Sequence, residues 1–507
     1  MMARPAGFTW CPALLVGGLV SVLAVLAVLA APAHAESCPN AQFRTGASER
    51  LPDCRAFEQV SPVEKNGYDG VSLQPVAPAQ SAPCNDGEEC TIAYMNVDGA
   101  FAGAPANEFY NAYLGTRGDE GWRTTALAPP TPQAPADGAT SITYAFSEDL
   151  AQTVLRVPFQ ALAEGAPQDV YNLFLRQPSG AYSLITAAAP AEAPAAGCGY
   201  CFETEDVPVF AGGSSDFSHV LFETNDSLVA GAPGGGVQNL YETADGHVRL
   251  VGYLPDGATA PGGAVAGGGI HVPDGSTKDL EHDISADGSR VLFQATADGG
   301  EPDPAQAGRT ELYDRMNGDS TIEISAPASG AEPARCETPE HDCEAEPAQF
   351  WAASADGSSV YFTSKAALTR GSYVGTEGSG LYRYDLDTRT LTNVIADADG
   401  SAGTASATVL GVVGASDDGS YVYFVAKGVL ASAARDGQAP QNGMPNLYVW
   451  HESEGGGAGT LTFVATLKAP NDPAEALEEG EVDEEQRIEE EDRGPLSPYR
   501  SDISDWT

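Results

Sequence analysis

Three stretches decide the fold: Ser285-Ala-Asp287-Gly-Ser-Arg-Val291-Leu-Phe293, Ser354-Ala-Asp356-Gly-Ser-Ser-Val360-Tyr-Phe362 and Ser416-Asp-Asp418-Gly-Ser-Tyr-Val422-Tyr-Phe424. Each joins a turn signal to a strand signal. Asp caps a tight turn with its side chain, Gly accepts positive φ, and the Val-x-Phe that follows alternates with the period of a pleated strand. Working towards the N-terminus, fainter copies appear as Ser214-Ser-Asp216-Phe-Ser-His-Val220-Leu-Phe222, as Ser147-Glu-Asp149 running into Thr153-Val-Leu155, and as Cys84-Asn-Asp86-Gly running into Cys90-Thr-Ile92. The six aspartates are spaced by 63, 67, 71, 69 and 62 residues. Self-similarity at a near-constant period marks a repeat architecture.

A second motif keeps register with the first. Ala112-Tyr113, Leu173-Phe174, Leu240-Tyr241, Leu312-Tyr313, Leu381-Tyr382 and Leu447-Tyr448 place their aromatic residue 25 to 30 positions after each aspartate. Each unit reads as four short strands. A brief apolar run such as Phe350-Trp351-Ala352-Ala353 leads into the Asp-Gly turn, Val-x-Phe forms the second strand, Leu-Tyr the third, and a β-branched run such as Thr321-Ile-Glu-Ile324 the fourth. No amphipathic helical pattern interrupts the series. Four antiparallel strands repeated radially describe an all-β fold, a β-propeller of about six four-stranded blades.

The paired Ser-x-Asp-Gly-Ser-x-Val-x-Phe and Leu-Tyr motifs resemble TolB-like, WD-repeat-like propeller repeats over roughly residues 80 to 467. The Pro that precedes Asp-Gly in that family is Ala286, Ala355 or Asp417 here, and the Gly is replaced by Leu150 and Phe217. Cys38-Pro-Asn, Leu51-Pro-Asp-Cys54-Arg, Val60-Ser-Pro and Lys65-Asn-Gly are also similar to the start of large secreted bacterial propeller proteins. The resemblance implies export and a fold, not an activity.

Residues 1–35 hold one charge, Arg4, an apolar run from Ala13 to Ala31, and Ala33-His34-Ala35, a small-x-small cleavage pattern. This is the pattern of a secretory signal peptide. The alternative reading of the same run is an uncleaved membrane anchor; after cleavage no membrane span is expected. Eight cysteines then remain, in the sequence-local pairs Cys38/Cys54, Cys84/Cys90, Cys198/Cys201 and Cys336/Cys343. An even set in an oxidising exterior reads as structural disulfides, with nearest-neighbour pairing the expectation among 105 connectivities. Cys198-Gly-Tyr-Cys201 as a redox or zinc motif is disfavoured, since neither a βαβ pattern nor a second ligand pair accompanies it.

The chain of 507 residues carries 25 basic against 71 acidic side chains, a net charge of −46, with only five lysines. That balance excludes binding to nucleic-acid backbones and disfavours anionic membrane surfaces. No G-x-S-x-G, H-E-x-x-H or Walker pattern is present, and the mature histidines His219, His247, His271, His282, His341 and His451 are scattered. The sequence names no catalytic residue and no metal ligand. Calcium is the one cofactor left open: Asp385-Leu-Asp387 and Asp397-Ala-Asp399-Gly400 resemble the start of oxygen-ligand loops, but Ala396 and Thr408 stand where an EF-hand places its glutamate. Turn capping is the favoured role of both.

Length variation falls opposite the Asp-Gly turns, in Thr224 to Gln238, Gln294 to Thr310 and Lys427 to Pro445, and in the connections Ala187 to Asp206, Pro255 to Leu280 and Ala328 to Pro347. Variable loops on a rigid scaffold are where binding residues sit. The organisation expected is a signal at 1–35, an extension at 36–80, a propeller at 81–467 and a solvated acidic segment at 468–507. Residues 472–492 of that segment hold twelve acids and one base, Arg487. Ser504-Asp505-Trp506-Thr507 reads as a linker into another blade, which makes an unclosed ring with an associating edge one expectation. The function expected is a secreted, non-catalytic scaffold at the cell exterior, binding a protein or a cell-envelope polymer. The alternative is an extracellular polysaccharide-cleaving propeller enzyme, glycosidase or lyase.

Overall fold

The computed structural model describes most of residues 90–467 and short stretches between 41 and 67. Residues 1–40 and 468–507 lie outside the described residues, as do 68–89, 102–110, 130–140, 187–207, 268–281, 297–309, 330–347, 370–379, 396–406 and some isolated positions. The signal, the acidic segment and all the mature cysteines but Cys90 therefore fall outside the description. The chain forms two compact units, Met1–Val60 and Ser61–Thr507. In the first, Gly46–Arg50 makes a 3₁₀ turn, and Arg44 donates to the carbonyls of Glu49 and Leu51 at 2.8 and 2.9 Å.

The second unit is a series of antiparallel meanders. The first sheet contains β1 (Cys90–Asn96), β2 (Asn111–Gly118) and β3 (Gly121–Ala126). Five four-stranded sheets follow, each in chain order. They are β4 (Ile142–Phe146), β5 (Thr153–Pro158), β6 (Tyr171–Arg176) and β7 (Tyr182–Leu184); β8 (Val209–Gly213), β9 (His219–Thr224), β10 (Asn239–Ala244) and β11 (His247–Leu250); β12 (Ala264–Ala266), β13 (Arg290–Thr296), β14 (Thr310–Met316) and β15 (Ser320–Glu323). The last two are β16 (Ala348–Ala353), β17 (Ser359–Ser364), β18 (Gly380–Asp385) and β19 (Thr390–Asn393), then β20 (Val409–Ala415), β21 (Tyr421–Ala426), β22 (Asn446–Ser453) and β23 (Gly457–Thr466). The fold is an all-β propeller of six blades, the first showing three strands among the described residues.

The Ser-x-Asp turns build the hub. In the fourth blade Ser285 Oγ donates to Asp287 Oδ1 at 2.8 Å and accepts from Arg290 N–H at 3.0 Å, while Asp287 Oδ1 accepts from Ser289 N–H at 2.9 Å. The same three bonds recur around Ser214 and Ser354, and around Ser416. The residue between Ser and Asp then joins the blades. Glu148 N–H donates to Ser215 C=O (2.9 Å), Ser215 to Ala286 (3.0 Å), Ala286 to Ala355 (2.7 Å) and Ala355 to Asp417 (2.8 Å). In the fourth, fifth and sixth blades the first and third turns also meet, where Asn317 N–H reaches Ser289 C=O at 2.7 Å, Leu386 N–H reaches Ser358 C=O at 2.8 Å and Glu452 N–H reaches Ser420 C=O at 2.9 Å. These turns therefore share one face, and the long loops take the other.

Pleating divides each blade into two apolar faces. In the fourth, Val291 and Phe293 turn back onto Leu221 and Leu240 of the third, while Leu292 and Leu312 turn forward onto Val360 and Phe362 of the fifth. The Phe and Tyr of the two motifs stack as cross-strand pairs, with ring centroids 5.3 Å apart for Phe293–Tyr313 and 5.4 Å for Phe222–Tyr241.

Four local features depart from the sequence pattern. Gly288, Gly357 and Gly419 take positive φ, and Leu150 and Phe217 take it in the same turn without being glycine, at +58° and +51°. A left-handed residue with a side chain costs about 1–2 kcal/mol, but Phe217 is buried in the boundary between the second and third blades, worth about 1.5–3 kcal/mol, so packing wins. In the first blade Tyr94, not Ile92, pairs with Tyr113, so Asp86 precedes its strand by two residues more than the other repeats. The first strands of four blades carry a register shift at one shared place, Thr143/Ala145, Phe210/Gly212, Phe350/Ala352 and Val412/Gly414. In the fourth blade that place holds an insertion. Ala266 pairs with Phe293 and Ile284 with Val291, and Gly267 and Asp283 both bond to Leu292, so one innermost strand is made of two pieces separated in sequence, and Pro255 to Leu280, which contains β12, is not wholly a connection between blades.

Ion pairs occupy the turn-face ends of the boundaries. Arg290 binds Asp314 of its own blade at 3.0 Å and Asp387 of the fifth at 3.3 Å, and Arg383 binds Glu452 of the sixth at 2.9 Å. Burial pushes the Asp314 carboxyl up to about 6 despite Arg290, and its Oδ1 has no hydrogen-bond partner among the described residues. Hydrogen bonds from Ser289 hold Asp287 down at about 2, and those from Ser416 and Ser420 do the same for Asp418.

Two outcomes follow. Ala355→Pro removes the N–H that reaches Asp417 and strands its acceptor; it should destabilise the chain by about 1–3 kcal/mol in denaturant titration, whereas Ala355→Ser should be near neutral. A carboxyl raised on folding stabilises while protonated, so the Asp314 contribution is present near pH 4 and lost as pH rises through about 6. The melting temperature should therefore rise on acidification across that window, then fall below about pH 4 as the depressed turn aspartates protonate. Asp314→Asn should flatten the first change and spare the second.

Candidate functional site

The loop face is anchored from beneath by the second motif. Tyr241 donates its hydroxyl to Asp226 C=O at 2.7 Å and accepts from Leu228 N–H at 3.0 Å. Tyr382 does the same with Ala366 and Leu368, at 2.8 and 3.3 Å, and Tyr448 with Gly428 and Leu430, at 2.7 and 3.2 Å. Each tyrosine thereby ties down the chain just after the second strand. Burial pushes the Tyr241 phenol up to about 12, which keeps the donor protonated at any physiological pH.

An asparagine holds the other end of the loop. Asn239 Nδ2 donates to Pro233 and Val237 carbonyls at 3.0 and 2.9 Å, Asn446 Nδ2 to Gln441 and Met444 carbonyls at 2.9 and 2.8 Å, and Asn172 Nδ2 to Pro167 C=O at 3.0 Å. All three are sealed from solvent. The Leu-Tyr spacing does not reveal them; the signal is the Asn that precedes the pair in four of six repeats, at 111, 172, 239 and 446.

A buried polar residue near the loop end of the second strand spans the blade boundary. Gln294 Nε2 donates to Ala348 C=O at 2.7 Å, and Glu223 Oε1 accepts from Ala266 N–H at 2.8 Å. Arg156 occupies the matching place in the second blade, 1% exposed, with its guanidinium carbon 5.5 and 5.6 Å from the ring centres of Tyr144 and Tyr171. The loop face thus rests on a layer of cross-blade contacts to the backbone and one aromatic-flanked cation, whose Nε and Nη1 find no hydrogen-bond partner among the described residues.

The sequence candidates fall as follows. Cys38, Cys54, Cys84, Cys198, Cys201, Cys336 and Cys343 lie outside the described residues, and Cys90 is described only as the first backbone position of β1. The four described histidines are kept apart: His219 pairs with Glu242 on the turn-face side, His247 is exposed at the start of β11, His282 lies 4.0 Å from Asp417, and His451 stacks on Tyr421 at 4.1 Å, while His271 and His341 lie outside the described residues. Asp385 caps its turn, accepting from Thr388 N–H and Oγ1 at 2.8 and 2.7 Å, while Asp387 pairs with Arg290. Asp397 and Asp399 lie outside the described residues. Among the described residues no group of three or more His, Cys, Asp or Glu side chains is placed to hold a metal ion.

No known family's sequence profile matches the chain, and no curated protein matches it. Solved structures show distant likeness. A prolyl endopeptidase, from an analysis of inter-domain dynamics in catalysis and specificity, aligns over 81% of this chain and 51% of its own at 13% identity, with a TM-score of 0.37. The GH74 xyloglucanase from Xanthomonas campestris aligns over 74% and 44% at 11% identity and a TM-score of 0.29. The WD40 domain of SCAP from fission yeast aligns over 70% and 73% at 9% identity and a TM-score of 0.24. The chain spans about half the length of the first two, and none of the three carries an activity across to it.

Proposed function

We propose that this chain is a secreted, non-catalytic propeller of the TolB-like, WD-repeat-like kind, a scaffold at the cell exterior that holds a protein or a cell-envelope polymer on its loop face. The observation that carries the reading is the double anchoring of loops whose sequences differ from blade to blade. Buried Asn and Tyr side chains fix both ends of the loops at 225–238 and 427–445. Loops ordered in advance lose less conformational entropy on binding, so contact energy goes into affinity. The stems repeat and the tips differ, an arrangement suited to recognition rather than to a single reacting centre. The net charge of −46 favours a neutral or basic partner over a polyanion.

The test is retention of envelope and secreted fractions on the immobilised chain, with the loop stems altered in parallel. Material should be retained without release of soluble fragments. The Asn239→Ala, Tyr241→Phe double variant should bind about tenfold more weakly, the equivalent of about 1.4 kcal/mol of restored loop disorder. Release of soluble saccharides from the retained polymer would replace the scaffold by the polysaccharide-cleaving enzyme.

A further inference from the structure

The sixth blade presents a forward face unlike that of the others. At the seventh position after the motif serine, Val154, Leu221 and Tyr361 are 0% exposed and Leu292 is 1% exposed, each covered by the following blade. The sixth-blade counterpart, Tyr423, is 43% exposed; Tyr421 on the same strand is 40% exposed, and Val464 on β23 is 43% exposed. Leu447 and Val449 of β22 complete the patch, with His451 stacked on Tyr421. The residues are those of a covered face, not of a solvated one. None of the six carries a formal charge with its histidine neutral, in a chain whose net charge is −46.

We propose that this face seats the same face of a second copy, giving an isologous dimer of propellers. Charge selects the occupant. Other surfaces of a second copy bring carboxylates, whereas a twofold meeting of the two uncharged faces buries none. The side chains also fit: the pairing would set phenols against valines, the contact already used inside the molecule where Tyr361 of the fifth blade packs in one cluster with Val422 of the sixth. Four strands spaced about 4.8 Å apart and about 20 Å long give about 400 Å² per copy, below the range of permanent interfaces and in that of weak, transient ones, so the dimer is concentration-dependent. Repulsion between two strongly anionic bodies opposes it and is screened by salt.

Sedimentation velocity of the purified chain from about 1 to 100 μM, spanning the affinity of a small interface, at low and high salt, is the test. A monomer–dimer equilibrium is expected, shifted towards dimer by salt. Tyr423→Glu and Val464→Glu should each leave a folded monomer, while Ser179→Glu, the same charge change on an exposed turn of the second blade, should dimerise as the parent does. A parent chain that stays monomeric at every concentration and salt would overturn the proposal, as would a dimer that survives both charge insertions.

Discussion

A single backbone hydrogen bond at each boundary from the second blade to the sixth holds the hub together. Glu148, Ser215, Ala286 and Ala355 each donate their N–H to the corresponding residue one blade on, ending at Asp417. For that bond to form, the turn must present the residue between Ser and Asp outward with its N–H free, and the Ser and Asp side chains secure this by absorbing the other turn donors. A proline at this place, as in the resembling family, could not donate; Ala286, Ala355 and Asp417 suit the arrangement. The hub therefore explains the most invariant feature of the repeat by geometry, with no appeal to a ligand.

With the hub set, the two-residue period of the strands does the remaining assembly. Alternate side chains of the second and third strands face opposite neighbours, so a blade is apolar on both faces and each boundary is a complete small core. Several polar side chains that enter these boundaries are tied across them, as Arg290 to Asp387 and Gln294 to Ala348. Unpaired buried polar groups would cost more than the hydrogen bonds return, and the cross-blade contacts turn that liability into registration of one blade on the next. The loop face inherits the rigidity, because the Asn and Tyr that hold the loops stand on those same buried strands.

The fold was legible because its signals are short-range: Asp-Gly turns, Val-x-Phe alternation and the Leu-Tyr register translate directly into turns and paired strands. Other features were not. Leu150 and Phe217 keep a glycine conformation because burial outweighs backbone cost, which no turn rule records. The shift from Ile92 to Tyr94 follows from pairing with Tyr113, a contact between strands rather than a spacing along the chain. The break of the innermost strand of the fourth blade between Ala266 and Ile284 is likewise visible only through pairing with Phe293 and Val291. The loop anchors lay one residue beyond the motif, and the bond each asparagine makes is set by a loop of irregular sequence. Of the site itself the sequence shows the face and its variability; the contacts that make it rigid are three-dimensional.

Native-state hydrogen exchange resolved to single amides tests the hub most directly. The N–H groups of Glu148, Ser215, Ala286 and Ala355 sit at turn tips, where amides ordinarily exchange within local fluctuations. The hub predicts instead that they exchange as slowly as the strand amides of Val291 or Phe362, opening only when blades separate. Exchange of these four at the rate of exposed turn amides would show that the turns do not bond from blade to blade, and that the blades are held together by their apolar boundaries and the side-chain contacts across them.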